Sequence, residues 1–323
     1  MKKVWICVCL LSIVIIMAGC GNSGDEVRQV DQVSLQVTSS GSDYFIASGL
    51  AKLASDQDLP LRITIQEVGG HVEGFRRVGQ KNADFALGTS VNAILAYEGR
   101  ANFEGEDLTD LRAVLGAPSQ IMQFIVRANS GIDTIDDFTG KIRIASFQGT
   151  GMLVIEDVLE LYGMKKDVDY TLETLTAQEM ADQMADGNID MFVTWTSVPS
   201  PVYSNLDTTT PIKILPLKEE VLDLMFDKWD PTGFPVTIKA GEYNGQTKDV
   251  LTTGGGKVFL TNKEVDDETV YYFTKLLLEN VEQLSEYHPT ASEISMENAL
   301  RGVNLPLHPG AEKYLKEIGV IEE

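Results

Sequence analysis

Residues 61–80 read LRITIQEVGGHVEGFRRVGQ, and this stretch decides the fold class. Leu61, Ile63 and Ile65 alternate with Arg62, Thr64 and Gln66, the period of two that sets one face of a β-strand against a core. Gly69-Gly70 breaks the strand, and Val72–Gln80 follows as a helix. The unit is therefore strand, glycine turn, helix. It recurs to both sides. Val33–Thr38 reads as a strand, followed by a Ser/Gly loop and a helix over Tyr44–Ala54. Asp84–Gly88 is a short buried strand, and Leu111–Leu115 and Met122–Val126 read as two more. A second set has strands at Ile142–Ser146 and Ile189–Val193, with helices at Met152–Tyr162, stopped by Gly163, and Ala177–Ala185, ended by Gly187. Later, Val258–Leu260 reads as a strand and Asp266–Tyr287 as one long helix with acidic residues at its start. A shorter helix is expected over Ser292–Leu300, and a last one over Ala311–Ile318. Strands alternating with helices predict parallel βαβ units, and two such sets predict two α/β lobes.

The first residues set the compartment. Lys2 and Lys3 precede an apolar run from Val4 to Ala18, which ends in Met17-Ala18-Gly19-Cys20. That pattern reads as a secretory signal over 1–19 and falls short of the ~20 apolar residues of a spanning helix. Cys20, directly after small residues, resembles the lipidated cysteine of a bacterial lipobox and anchors the chain to the bilayer; residues 20–32 read as an acidic tether. Cys7 and Cys9 lie inside the signal, so the exported part offers no disulfide, no thiolate nucleophile and no cysteine metal site. Its three histidines, His71, His288 and His308, show no metal-ligand spacing. No cofactor is expected. Loss of residues 1–19 removes Lys2 and Lys3, so 26 basic residues become 24 against 48 acidic ones, a formal balance of −24. A surface this acidic repels nucleic acid.

Seven short segments, in order, resemble one family. They are Thr38-Ser39-Ser40-Gly41-Ser42-Asp43-Tyr44-Phe45, Gly69-Gly70-His71-Val72-Glu73-Gly74, Ala83-Asp84-Phe85-Ala86, Phe138-Thr139-Gly140-Lys141-Ile142-Arg143, Gln148-Gly149-Thr150-Gly151, Gly187-Asn188-Ile189-Asp190-Met191-Phe192 and His308-Pro309-Gly310-Ala311-Glu312-Lys313-Tyr314. The chain resembles the solute receptors of TRAP transporters of the TAXI type. His71, Gly74 and Trp195-Thr196-Ser197 depart from that pattern, and they fall in expected cleft loops. The resemblance implies a two-lobed periplasmic-binding-protein-like (type II) α/β fold. Each lobe is then a mostly parallel sheet with flanking helices: 33–125 with 236–323 in lobe 1 and 126–235 in lobe 2, with a hinge between. It implies a monomer without catalysis, a small carboxylate ligand such as glutamate or 2-oxoglutarate, and a membrane permease as partner. A sensory lipoprotein reporting to a membrane kinase, or an enzyme on the same fold, are the alternative readings.

In open α/β sheets ligands sit beyond the carboxyl ends of the strands. Five loops meet that description: Ser39–Tyr44, Gly69–Val72, Gly88–Ser90, Phe147–Gly151 and Trp195–Val198. Ser40 and Ser42 either hydrogen-bond a polar ligand or form a turn that caps the next helix. Tyr44 either stacks on the ligand or joins the core. His71 either donates to a carboxylate or is an exposed loop residue. Thr89 and Ser90 belong to the third loop. Arg127 either clamps a carboxylate bidentately or holds the hinge. Gln148, Gly149, Thr150 and Gly151 open a helix whose free N–H groups suit an anion, Thr150 acting as ligand contact or as cap. Trp195 and Thr196 end a strand, where Trp195 walls the pocket or packs in the core. Gly254-Gly255-Gly256 lacks the lysine and helix of a phosphate loop and reads as a flexible connection between lobes.

Overall fold

The computed structural model describes residues 31–39, 41–57 and 59–322. The signal, Cys20, Ser40 and the tether up to residue 30 lie outside the described residues; the last two tether residues, Asp31 and Gln32, instead begin β1. The first half of the fold holds β1 (Asp31–Thr38), α1 (Ser42–Asp56), β2 (Leu61–Val68), α2 (His71–Gly79), β3 (Phe85–Thr89), α3 (Ser90–Glu98) and β4 (Leu111–Arg127). The second holds β5 (Ile142–Ser146), α4 (Thr150–Leu161), β6 (Tyr170–Thr174), α5 (Ala177–Ala185), β7 (Met191–Thr196), α6 (Pro201–Thr209), β8 (Ile212–Leu215), α7 (Glu219–Leu224) and β9 (Phe234–Ile238). The chain then returns through β10 (Val250–Asn262), α8 (Asp267–Glu279), α9 (Val281–Tyr287) and α10 (Pro309–Glu317).

Strand order is β2-β1-β3-β10-β4-β7-β5-β6, with β8 on β4 and β9 on β10. β1, β2 and β3 run parallel, as do β5, β6 and β7. The two long strands are antiparallel to their neighbours and belong to both halves. β4 pairs with β10 from Leu111 to Ile121, then with β7 and β8 up to Arg127. β10 pairs with β9 at one end and β3 at the other. An apolar cluster on one face runs through both halves, with Phe75, Val78 and Leu95 at one end and Val154, Ile155 and Trp229 at the other. The opposite face is divided: α1, α8 and α10 cover the first half, and α5 and α6 the second.

Four expectations need correction. Leu111–Leu115 and Met122–Val126 are one strand of 17 residues. Pro118 does not break it, because the register shifts there: Ala117 faces Lys257 while Gln120 faces Gly255, so two residues, Pro118 and Ser119, oppose Gly256. A bulge of this kind absorbs a residue with no N–H to donate. The glycine run is no flexible connection but the middle of β10. A Cβ on Gly256 would lie 2.5 Å from the Gly302 Cα, so close backbone approach requires glycine there. The long helix stops at Asn280 and resumes as α9. In the stretch 292–300, Ser292 and Glu293 end a 3-10 helix (Pro289–Glu293) and the rest forms bends and turns, which supply backbone partners: Ala299 O accepts from Gly116 N at 2.8 Å.

Candidate functional site

The carboxyl ends of the parallel strands in both halves meet the middle of the two long strands. Thr89, the last residue of β3, faces Lys257, which in turn faces Ala117 of β4. Thr196, the last residue of β7, faces Ile121 of β4. Three residues of β4, Pro118, Ser119 and Gln120, thus separate the two edges, and the loops leaving them face one crevice.

Three helices begin at this crevice in the same way. α1, α2 and α4 have Gly41, Gly70 and Gly149 as N-caps, and none receives a side-chain cap. Gly41 and Gly149 sit at φ 81° and 123°, a region that disfavours other residues. The first-turn N–H groups of an uncapped helix carry partial positive charge and suit an anion. α3 differs: Thr89 caps it by accepting from Asn92 N at 3.4 Å.

The first-half edge also holds buried charge. Lys257 is 2 % exposed and its Nζ forms an ion pair with Asp43 Oδ1. Asp43, 4 % exposed in the first turn of α1, uses Oδ2 to accept from His71 Nε2 at 3.3 Å. Ser42 Oγ donates to Asp43 at 3.2 Å and lies 3.5 Å from the ammonium. Burial pushes the Asp43 carboxyl up, but the charge of Lys257 and the His71 hydrogen bond outweigh it and hold the group well below the usual carboxylate range. His71 fits because the next-to-last residue of β3 is Gly88, where a Cβ would lie 2.9 Å from the His71 Cβ.

The second-half edge is neutral. Thr150 is 4 % exposed; its hydroxyl donates to Asn92 Oδ1 at 2.7 Å and accepts from Asn102 Nδ2 at 2.9 Å. Asn92 Nδ2 donates in turn to Thr89 Oγ1 at 2.8 Å. Two expected ligand residues from opposite edges are thereby joined to each other, and Thr150 is neither cap nor free hydroxyl. Trp195 packs over the start of α4, where a Cβ on Gly151 would come within 2.9 Å of its ring. Gln148 is exposed and Tyr44 is partly buried, its ring edge-on to Phe45. Thr196 contributes its carbonyl to Gln123 Nε2 at 3.4 Å.

Two expected contacts are occupied elsewhere. Ser90 is fully buried and donates to Gly302 O at 2.6 Å, tying α3 to the turn beside β10. Arg127 stands at the far end of β4, six residues beyond Ile121 and so roughly 20 Å from the crevice. There its guanidinium donates to the carbonyls of Ile189 at 3.0 Å and Met184 at 3.1 Å. Asp43, Lys257, Asn92 and Asn102 were not foreseen. The signal for Lys257 was its place directly after the glycine run.

A family model described as the NMT1-like family matches residues 37–319. The chain belongs to the NMT1-like family. The fold agrees with a solved structure, the periplasmic aliphatic sulphonate binding protein SsuA from Escherichia coli, at TM-score 0.50 and 16 % identity, covering 88 % of this chain and 77 % of that one. The glycine/betaine/L-proline-binding protein ProX from Borrelia burgdorferi matches at TM-score 0.48 and 15 % identity, over 88 % of this chain and 100 % of that one. By its likeness to the sulphonate binding protein, this NMT1-like chain has the two-lobed α/β architecture of periplasmic binding proteins.

Proposed function

We propose that this protein is the extracytoplasmic solute receptor of a TRAP-type transporter of the TAXI kind, and that it captures a small carboxylate such as glutamate or 2-oxoglutarate and delivers it to a membrane permease. It works as a monomeric receptor rather than an enzyme, anchored through a lipid on Cys20 after removal of residues 1–19. Lobe 1 comprises 33–125 with 236–323, lobe 2 comprises 126–235, and the lobes close by bending β4 and β10.

The observation that carries this reading is the convergence of three helix N-termini without side-chain caps on one crevice. It answers the problem set by a chain of formal charge −24, because backbone N–H groups supply local positive potential without free lysine or arginine. Lys257, the buried cation at this edge, is already paired with Asp43. The ordered motifs and the binding-protein fold support the same reading.

Calorimetric titration with glutamate, 2-oxoglutarate and uncharged analogues tests it. The acids bind and the uncharged analogues do not; equal binding of both sinks the anion reading. Scattering at saturation shows a smaller radius of gyration, and an unchanged profile counts against closure. Expression with Cys20→Ser releases the protein from the membrane, whereas retention there refutes the anchor.

A further inference from the structure

We propose that Lys257 and Asp43 are positioning residues that hold His71 as its Nε2–H tautomer, so that the free Nδ1 accepts a hydrogen bond from a donor group beside the ligand's carboxylate. The ligand is then a 2-amino or 2-hydroxy acid rather than a 2-oxo acid. This rests on the carboxylate reading and narrows it.

The geometry puts a proton on Nε2. An ionised carboxylate only accepts hydrogen bonds. Asp43 Oδ1 faces the Lys257 ammonium and Oδ2 faces His71 Nε2 at 3.3 Å, so Nε2 carries the proton. Lys257 holds the other oxygen of the same carboxylate, so Asp43 is fixed between the ammonium and the ring. Other titratable groups around the ring do not replace it. Glu73, on the same helix, is taken up by Gly69 N at 3.0 Å and by Arg77. His288 lies near the same pair, and burial first, then the charge of Lys257, push its imidazole down while Asp43 pulls it up. Its Nδ1 is bonded to Thr290 Oγ1 at 2.8 Å.

The ring is held on its other sides as well. Gly88 and Phe75 pack beneath it, since a Cβ at Gly88 would lie 2.6 Å from Phe75 Cζ and 3.0 Å from His71 Cγ. The side chain remains 16 % exposed at the crevice, at the N-terminus of α2. A carboxylate at that N-terminus places a neighbouring ammonium or hydroxyl within reach of an acceptor. A keto oxygen in the same place meets lone pair with lone pair, and a site built for a donor rejects an analogue lacking it.

Nitrogen NMR of the purified full chain in detergent, without ligand, reads the tautomer directly: the expected signature is a protonated Nε2 and an unprotonated Nδ1 for His71. A protonated Nδ1 at neutral pH overturns the proposal. Titration with glutamate, 2-hydroxyglutarate and 2-oxoglutarate then separates the donor groups. At least one of the first two binds about tenfold more tightly than the oxo acid, the upper range for one neutral hydrogen bond. Which of the two binds tells ammonium from hydroxyl, and equal affinity for all three overturns the proposal. Binding of none removes the carboxylate reading and the ligand preference with it, while the NMR signature still decides the tautomer. Lys257→Met removes the group that holds Asp43 in place, and the expected result is that the Nε2–H tautomer is no longer fixed and the oxo-acid discrimination is lost. If that variant does not fold, Asp43→Asn with Lys257→Met leaves a neutral pair and a mixed tautomer. Unchanged discrimination in the double variant overturns the positioning role, which a merely structural pair would not affect.

Discussion

The two edges of the crevice are built on opposite principles. The first-half edge buries charge: Lys257 and Asp43 are side by side with side chains 2 % and 5 % exposed, against the starts of α1 and α2. The second-half edge is made of neutral groups, namely the glycine-capped start of α4, the Thr150 hydroxyl and the Trp195 ring. Its own ion pair, Arg143 with Asp190 at 2.7 Å, sits at the other end of the strands, before β7 begins, with side chains 47 % and 28 % exposed. On the proposed closure, the buried ion pair fixes orientation on one side, and the neutral surface is the one that parts from its partner. Variants in the two edges therefore separate orientation from closure.

The largest expected effect is at Lys257. Truncation to Met leaves Asp43 buried without its counter-ion, which costs about 3–5 kcal/mol. The matching change in the second half, Arg143→Met, costs less than about 1 kcal/mol because water screens a half-exposed pair. Urea unfolding of both variants checks the contrast, and equal losses would break it. Next come the two glycines that admit side chains. In Gly88→Ala the new Cβ meets Phe75 and His71, and in Gly151→Ala it meets the Trp195 ring at 2.9 Å. Both overpack rigid rings and cost about 1–3 kcal/mol. Gly151→Ala alone displaces Trp195, so a fluorescence change in Gly88→Ala as large as in Gly151→Ala counts against the assignment of Trp195 to the second edge.

Acid sharpens the comparison further. Asp43 is held below its ordinary range in the folded state, so the stability it contributes is fully present above the unfolded value of about 3.9 and disappears as pH falls below it. Asp190 is also held low, burial opposing and the Arg143 hydrogen bonds prevailing, but its partner is half exposed and its share is smaller. The stability gap between the natural chain and Asp43→Asn should shrink as pH falls below about 4, more than the gap for Asp190→Asn. Denaturation curves at stepped pH measure both, and a gap for Asp43→Asn that stays constant with pH removes its carboxylate as the source.

Most of the βα units were legible because they repeat a local pattern, although α3 and β6 were not read. Leu61–Val68 and Ala177–Ala185 appear with the bounds their periodicity and flanking glycines imply. β10 was largely hidden, because Thr252 to Gly256 has neither alternation nor bulk; it is a strand only because Gly302 and Phe234 press against it. β8 and β9 were missed for a related reason: they are short strands that pair antiparallel with the long β4 and β10. At the site, the glycine helix starts were legible from their turn chemistry. The charges were not. Asp43 and Lys257 are 214 residues apart, and only the return of β10 beside β3 brings them together. Arg127 was a plausible clamp by residue type, but strand length carries it away from the crevice.

The smallest effect is the most informative about closure. Thr150 bridges the edges through Asn92 and Asn102, and each neutral hydrogen bond contributes about 0.5–1.5 kcal/mol. Thr150→Ala should therefore lower stability by only about 1–2 kcal/mol, because the hydroxyl is small and water can reach the parted groups once the lobes open. Its consequence for binding depends on what the hydroxyl touches. A hydroxyl bonded to the ligand loses affinity whether or not Asn92 is intact. A hydroxyl bonded to Asn92 shows its effect only when Asn92 is present, so Thr150→Ala and Asn92→Ala should be non-additive by about 0.5 kcal/mol or more in a double-mutant cycle. The same variants should widen the ligand-free protein in scattering by releasing the latch, while the ligand-bound profile is unchanged. Additive energies would place the Thr150 hydroxyl on the ligand beside the α4 N–H groups, and the two edges would then differ in charge but not in function.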